Sequence, residues 1–288
     1  MGGISLGYKN AGFEIEEGID IWDTALKTYG KYIGAKTRNQ DISLYYPGRG
    51  DFDVIIVGGT PCQDWSLLNK NRDIYGKRGQ LVLDYCRIIN SVRPHAFMYE
   101  NVTHMPKWAE QAILDMPGYK VTKNLIYTDD FGIPQRRSRK IFIGTKSMYL
   151  TLVPPINPKR FTVRDAFAGI GKNWGLTKHR AATIEKFRAF SSHTWDSKSG
   201  SSASYSGTVR LRWDSPSVAI TDVSKAQILH PDEDRIISRA EALALQGFPN
   251  WYVPFGTAAQ QALQISNAVP PPLAEYVARL IRRELYGI

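Results

Sequence analysis

The run Val54-Ile55-Ile56-Val57 stops abruptly at Gly58-Gly59-Thr60-Pro61, and this strand ending constrains the fold more than any other stretch of the chain. Four apolar, mostly β-branched residues bounded by glycines and a proline read as a buried strand. Open α/β sheets bind ligands at the carboxyl ends of their strands, so the residues just past such an ending are well placed for chemistry. Cys62 comes at once, in Pro61-Cys62-Gln63. A free cysteine most often serves as a small buried hydrophobe; at a strand end it also suits a nucleophile, and the motif alone leaves both readings open.

A second run, His95-Ala96-Phe97-Met98-Tyr99, leads into Glu100-Asn101-Val102, which puts a carboxylate at the same kind of strand end as the thiol. A third element carries Gln135-Arg136-Arg137-Ser138-Arg139 directly before Lys140-Ile141-Phe142-Ile143-Gly144, offering cations at the start of another strand. Taken singly, the basic run reads as a solvated face and Glu100 as the partner of a surface lysine.

Residues 1–150 alternate strand-like and helix-like stretches, the pattern of an α/β fold with a doubly wound, mostly parallel sheet and helices on both faces. From about Pro154 the texture becomes irregular: a proline-rich stretch, scattered aromatics and basic residues, and the serine-rich Ser197–Ser204, read as a mobile loop. The chain therefore divides into an alternating part, 1–154, an excursion, 155–235, and a closing segment, 236–288. The last of these carries a helix that opens with proline in Pro270-Pro271-Pro272. The 37 Lys and Arg against 27 Asp and Glu give a net charge of +10, which suits a polyanion without separating DNA from RNA. No apolar run approaches the roughly 18 residues of a spanning helix. Two cysteines, Cys62 and Cys86, make neither a disulfide framework nor a zinc cluster, and Cys86 reads as core.

In this order the three motifs resemble those of the cytosine-5 DNA methyltransferases: a Pro-Cys-Gln nucleophile loop, a Glu-Asn-Val strand end and Gln-x-Arg-x-Arg. Arg239–Pro249 and Gln264–Pro270 are similar to late motifs of the same family, so the resemblance covers nearly the whole chain. It implies a Rossmann-like methyltransferase fold in which 155–235 is the target-recognition region and the last helix returns to the cofactor domain.

The resemblance also implies chemistry. Carbon 5 of cytosine is a poor nucleophile until a thiolate adds to carbon 6, so Cys62 is the expected nucleophile. Glu100 is the expected proton donor or strong hydrogen-bond partner at N3. Arg139, and with it Arg137, is expected to stabilise charge at O2 and to hold a nearby phosphate. A stacked base cannot reach such a pocket, so the target flips out; Gln63 and Ser66 are expected to touch DNA. The stretch from Gln63 to Arg78 is the natural loop to close behind the base, with Gly76 and Gly79 as hinges. The implied cofactor is S-adenosylmethionine, met by Gly2, Gly3, Asp20 at the ribose, Ile21 on the adenine, Asp41, Ile42, Pro61, Leu81 and Asn267. No metal is implied. The implied partners are double-stranded DNA and a cognate restriction enzyme, with the protein a monomer in the cytoplasm of a bacterial or phage-infected cell. Two other readings are a DNA-binding protein that has lost catalysis and an RNA cytosine-5 methyltransferase.

The sequence departs from the family at its start, where a strand ending in Asp-Leu-Phe-x-Gly-x-Gly-Gly is usual and this chain begins Met1-Gly2-Gly3-Ile4. The start is assigned too late, or another segment substitutes, or the enzyme is damaged; the intact catalytic motifs favour the first. Without that strand the chain as written is expected to bind the cofactor weakly. Ser266 is a smaller departure, at a position where glycine is usual.

Overall fold

The computed structural model describes residues 1–61, 64–65, 73–156, 159–171, 173–188, 208–221, 223 and 228–287. The first half alternates helix and strand: α1 (Gly3–Asn10), β1 (Glu17–Asp20), α2 (Asp23–Ile33), β2 (Lys36–Asn39), β3 (Ile55–Gly58), α3 (Lys77–Val92), β4 (Ala96–Asn101), α4 (Lys107–Leu114), β5 (Lys120–Tyr127) and β6 (Ser138–Thr145). Then come α5 (Val163–Ala168), α6 (Ala181–Arg188), the two-residue strands β7 (Val209–Arg210) and β8 (Ile228–Leu229), α7 (Arg239–Leu245), α8 (Ala258–Asn267) and α9 (Pro271–Tyr286).

Side-chain alternation explains the central layer. Along β4, Phe97 and Tyr99 pack with Val82, Tyr85 and Ile89 of α3 and with Ala109 and Ile113 of α4. Ala96 and Met98 point the other way, into a cluster with Tyr8 of α1 and Leu273, Val277 and Ile281 of α9. On β6, Phe142 takes the first face, and Ile141 and Ile143 the second. A strand buried on both faces must be apolar throughout, which is why this one reads as a continuous run. Where α1 crosses α9, a Cβ on Gly7 would lie 2.5 Å from the Glu275 nitrogen and the Pro271 carbonyl oxygen, so only glycine lets the two backbones come this close.

The α/β architecture holds, with a mixed sheet. Strand order is β3-β4-β6-β5, in which β3 and β4 are parallel while β6 runs antiparallel to both of its neighbours. The short return from β5 through Thr128–Phe131 reverses the chain and inserts β6 between β4 and β5. Strands β1 and β2 form a separate parallel pair. Among the described residues no strand pairs with the second edge of β1 or of β3, so no described segment takes the place of the usual first strand.

The excursion has no core of its own among the described residues, apart from a small cluster of Phe187, Leu229 and Ile236. Val163, Leu211, Ile220 and Ile228 share one cluster with Leu243 and Leu245 of α7, Ile265 of α8 and Leu6 and Tyr29 of the first two helices. Ser197–Ser204 lies outside the described residues. No helix among the described residues is long and apolar enough to cross a membrane.

Two histidines hold the base of the excursion in their neutral form. His230 is buried, stacked on Phe167 with the Trp213 ring edge-on, and its Nδ1 accepts from the Asp232 and Glu233 nitrogens. His179 Nε2 accepts from the Ile236 nitrogen. Burial, with the Arg235 charge adding to it, pushes both imidazoles below their ordinary value; Glu241, Glu233 and Asp232 partly oppose this at His230. The unfolded chain takes up protons at about pH 6.5 while the folded one does not. Stability is therefore expected to be full above that pH and to fall as the pH drops through it towards the folded values. Urea unfolding at pH 7.5 and 5.5 checks this: His230→Gln should lessen the difference, and an unchanged wild-type midpoint would sink the argument.

Candidate active site

The parallel register Val57↔Met98, Gly58↔Tyr99 brings the ends of β3 and β4 to one edge of the sheet. Gly59 then lies against the next residue of β4, where a Cβ would be 2.5 Å from the Glu100 carbonyl oxygen and 3.2 Å from its Oε2. The root of the loop that leads to Cys62 is thus seated on Glu100, and glycine is needed there because no side chain fits. Pro61 is exposed and leads into Cys62; Cys62, Gln63 and Ser66 lie outside the described residues.

Glu100 faces the same side of the sheet as its cross-strand partner Ile141, and so does Arg139, two residues earlier on β6. The diagonal closes as an ion pair, Arg139 Nε to Glu100 Oε1, 2.6 Å, with both side chains about 15% exposed. Arg139 also donates from Nη1 to the Ser138 carbonyl at 2.8 Å. Cation and carboxylate are therefore fixed relative to each other beside Gly59.

The other cations of the basic run are paired, Arg136 while still exposed. Arg136 pairs with Asp129 at 2.7 Å and lies over the Tyr127 ring. Lys140 reaches Glu110 on α4, which also holds Lys123 at 2.9 Å. Arg137, expected with Arg139 at the base and the phosphate, has backbone partners far along the chain. It precedes β6, is 7% exposed, and donates to the Ile220 carbonyl at 3.3 Å and the Ser266 carbonyl at 2.9 Å, tying the strand to the excursion and to α8. Ser266 itself donates to the Ala262 carbonyl and accepts from the Val223 nitrogen, so the residue standing in place of glycine joins the same seam. Arg137→Ala leaves two buried carbonyls short of a donor and is expected to cost about 1–3 kcal/mol, read by urea unfolding. A variant with an unchanged midpoint and a shallower salt dependence of DNA binding would return Arg137 to the phosphate.

The residues expected at the cofactor fall into linked groups. Asp20 ends β1 and its Oδ1 accepts from the Trp22 nitrogen, while Ile21 beside it is 66% exposed. Asp41 comes just after the end of the paired strand β2 and accepts from the Ser43 nitrogen, opening the turn that starts at Ile42. Arg87 of α3 holds the Ile42 and Tyr45 carbonyls, which fastens this turn to the helix that carries Leu81. Gly2 and Gly3 open α1. A Cβ on Gly3 would lie 2.1 Å from the Val269 carbonyl oxygen, which sets α1 against the segment just after Asn267. The buried Met1 amino group lies in the field of Asp20, joining this group to the first. Two carboxylates at parallel strand ends with an exposed apolar side chain between them suit the ribose hydroxyls and flat base of a nucleoside.

Gly76 and Gly79, expected as hinges, leave room for Asp64 and Trp65. Asp64 accepts from the Gly79 nitrogen at 3.0 Å, and a Cβ on Gly76 or Gly79 would meet Asp64 at 2.3 Å or Trp65 at 2.6 Å. Cys86 is core, its Sγ donating to the Ala112 carbonyl.

Across residues 1–283 the chain matches the sequence profile of the C-5 cytosine-specific DNA methylases. It belongs to that family. The match spans every motif just placed, from α1 to α9. Among relatives of this methylase, "Type II methylase M.HgiDII" of Herpetosiphon aurantiacus is 28% identical over 338 aligned positions, covering 100% of this chain and 94% of the relative. "Type II methyltransferase M1.HphI" of Haemophilus parahaemolyticus is 31% identical over 315, covering 97% and 84%. A solved structure from an E. coli prophage, described as a DNA modification methyltransferase, superposes with a TM-score of 0.76 at 23% identity, over 98% of this chain and 95% of that one; at such identity the likeness establishes the fold.

Reading the sequence missed the neighbours that hold this site. Thr60 and Tyr99 share a hydrogen bond, and Asn101 donates to both. Gln135, fully buried, accepts from the Ile220 nitrogen beside Arg137's contact. The signal for the first set was a hydroxyl residue next to each of two motifs on strands that prove to be parallel neighbours.

Proposed function

We propose that this methylase transfers a methyl group from S-adenosylmethionine to carbon 5 of a cytosine flipped out of double-stranded DNA, through a covalent adduct of Cys62 with carbon 6. The observation that carries this reading is the Glu100–Arg139 pair held against Gly59, because it puts a fixed carboxylate and cation at the root of the loop that leads to Cys62. When bound, S-adenosylmethionine supplies an electrophilic methyl group; Asp20, Ile21, Asp41, Ile42, Pro61, Leu81, Asn267 and the Gly2-Gly3 turn are the residues that would hold it.

The chain's own groups do the rest. The Cys62 thiolate forms the bond to carbon 6, and the electron pair of the 5,6 double bond moves through the ring to N3, which takes a proton from the protonated form of Glu100. Carbon 5 becomes nucleophilic and accepts the methyl group while the sulfur that carried it keeps the bond's electron pair; the carbon 5 proton then passes to a water, the Cys62–carbon 6 bond breaks to restore the thiolate, and N3 returns its proton to Glu100 as the aromatic ring is restored. Arg139 keeps the Glu100 carboxyl aimed and adds positive charge beside O2. Gln63 and Ser66 remain assigned to DNA by their motif. Base-edge recognition falls to the basic and aromatic residues of 155–235; there Arg164 lies over the Trp213 ring, whose Nε1 donates to Asp232.

A duplex carrying 5-fluorocytosine tests the proposal, because fluorine blocks the final loss of a proton and leaves the enzyme attached. A stable adduct that requires S-adenosylmethionine is expected, together with new 5-methylcytosine at one short sequence in DNA from cells that express the chain. Salt-sensitive, reversible binding with no adduct would make it a DNA-binding protein, and an adduct on RNA alone would make it an RNA methyltransferase.

A further inference from the structure

We propose that Tyr99 is a positioning residue that sets where the nucleophile's loop leaves β3, acting through its hydroxyl on Thr60. This rests on the function just proposed and names a part of the machinery that the chemistry itself does not call for. Tyr99 is fully buried on the face of the sheet opposite Glu100, its ring tilted against Tyr85 at 5.0 Å and edge-on to Phe142 at 6.2 Å, so the phenol has one available direction. That direction ends on Thr60 Oγ1 at 2.6 Å. Asn101 Nδ2 donates to the Tyr99 hydroxyl at 3.0 Å and to the Thr60 carbonyl at 3.2 Å, while Asn101 Oδ1 accepts from the Val102 nitrogen at 2.8 Å.

Both the side chain and the backbone of Thr60 are therefore held from β4. Tyr85 adds a clamp between the two strands, its hydroxyl shared by the Ile56 and Met98 carbonyls. On the opposite face Gly59 sits on Glu100. The loop root is gripped from both sides of β4 two residues before the thiol, and the same strand carries the acid. One strand thus carries the acid and holds the root of the loop that leads to the thiol, and a misplacement of about 1 Å at such a site can cost 10²-fold in rate. Burial holds the phenol far above its ordinary pKa, so it stays a neutral hydrogen-bonding group throughout the working pH range.

The test is the single-turnover methyl-transfer rate at saturating S-adenosylmethionine and cognate duplex, with DNA affinity and melting temperature measured alongside. Tyr99→Phe keeps the ring and removes the hydroxyl; its rate, measured on the folded protein, is expected to fall about 10- to 100-fold with DNA affinity near wild type, while the lost buried hydrogen bonds lower the melting temperature. Thr60→Val should lose a similar factor, Thr60→Ser should regain most of it, and the double variant should fall no further than either single one, because all remove the same bond. A wild-type rate in Tyr99→Phe overturns the proposal, as do losses that multiply in the double variant or a rate that falls only in step with DNA affinity. If Tyr99→Phe does not fold, the Thr60 variants read the same bond from the loop side. A wild type that transfers no methyl group overturns the function itself, a result distinct from any of these.

Discussion

Cys62→Ser is expected to abolish methyl transfer while leaving DNA affinity close to wild type. A serine hydroxyl is a far weaker nucleophile than a thiolate at neutral pH. Cys86 cannot stand in: it is buried in the apolar cluster between α3, α4 and the sheet, and burial pushes its thiol up to about 12. Affinity rests instead on the surplus of positive charge and on the excursion, neither of which the substitution touches. Methyl incorporation into cognate duplex and a gel-shift titration at fixed salt check the two halves. Turnover above background would reassign the nucleophile, and the loss of binding together with activity would point to a misfolded variant.

Glu100→Gln is expected to slow transfer by about 10²- to 10⁴-fold, the range for a lost general acid. The amide fits the same space and can still hydrogen-bond N3, but it has no proton to give. The change has a second consequence, because Arg139 is nearly buried and loses the carboxylate it holds at 2.6 Å. Leaving that cation with an amide is expected to cost of order 1–3 kcal/mol of stability. The two effects separate experimentally: unfolding reports the stability loss, and single-turnover kinetics on the folded protein reports the chemistry. A near-normal single-turnover rate would reassign the acid, whatever happens to the melting temperature.

Much of the site was legible because its parts lie in short, strongly patterned segments. Glu100 could be placed at a strand end since the run before it is apolar at every position, and only a strand buried on both faces asks for that. Arg139 and Arg137 stand two residues apart in one basic run, and in the sequence only the place in the motif ranks Arg139 first for the base. They part in the structure because β6 begins at Ser138: Arg139 takes a defined face of the sheet, while Arg137 precedes the strand and turns to carbonyls at Ile220 and Ser266, 83 and 129 positions further along. No local pattern encodes partners that distant. The contacts of Asp64 with Gly76 and of Trp65 with Gly79 were hidden for the same reason, since no local pattern pairs residues that far apart.

The family, the α/β class and the order of the chemical motifs were all readable along the linear chain, because each depends on residue types and spacings within stretches of about ten residues. Only the folded protein shows that, among the described residues, β1 and β2 stand as a pair apart from the β3-β4-β6-β5 sheet. Folding likewise seated Gly59 on Glu100, matched Thr60 to Tyr99 and brought Gly3 to Val269. Register and packing are collective properties. They are set by which elements bury which faces against one another, and no residue carries that information on its own.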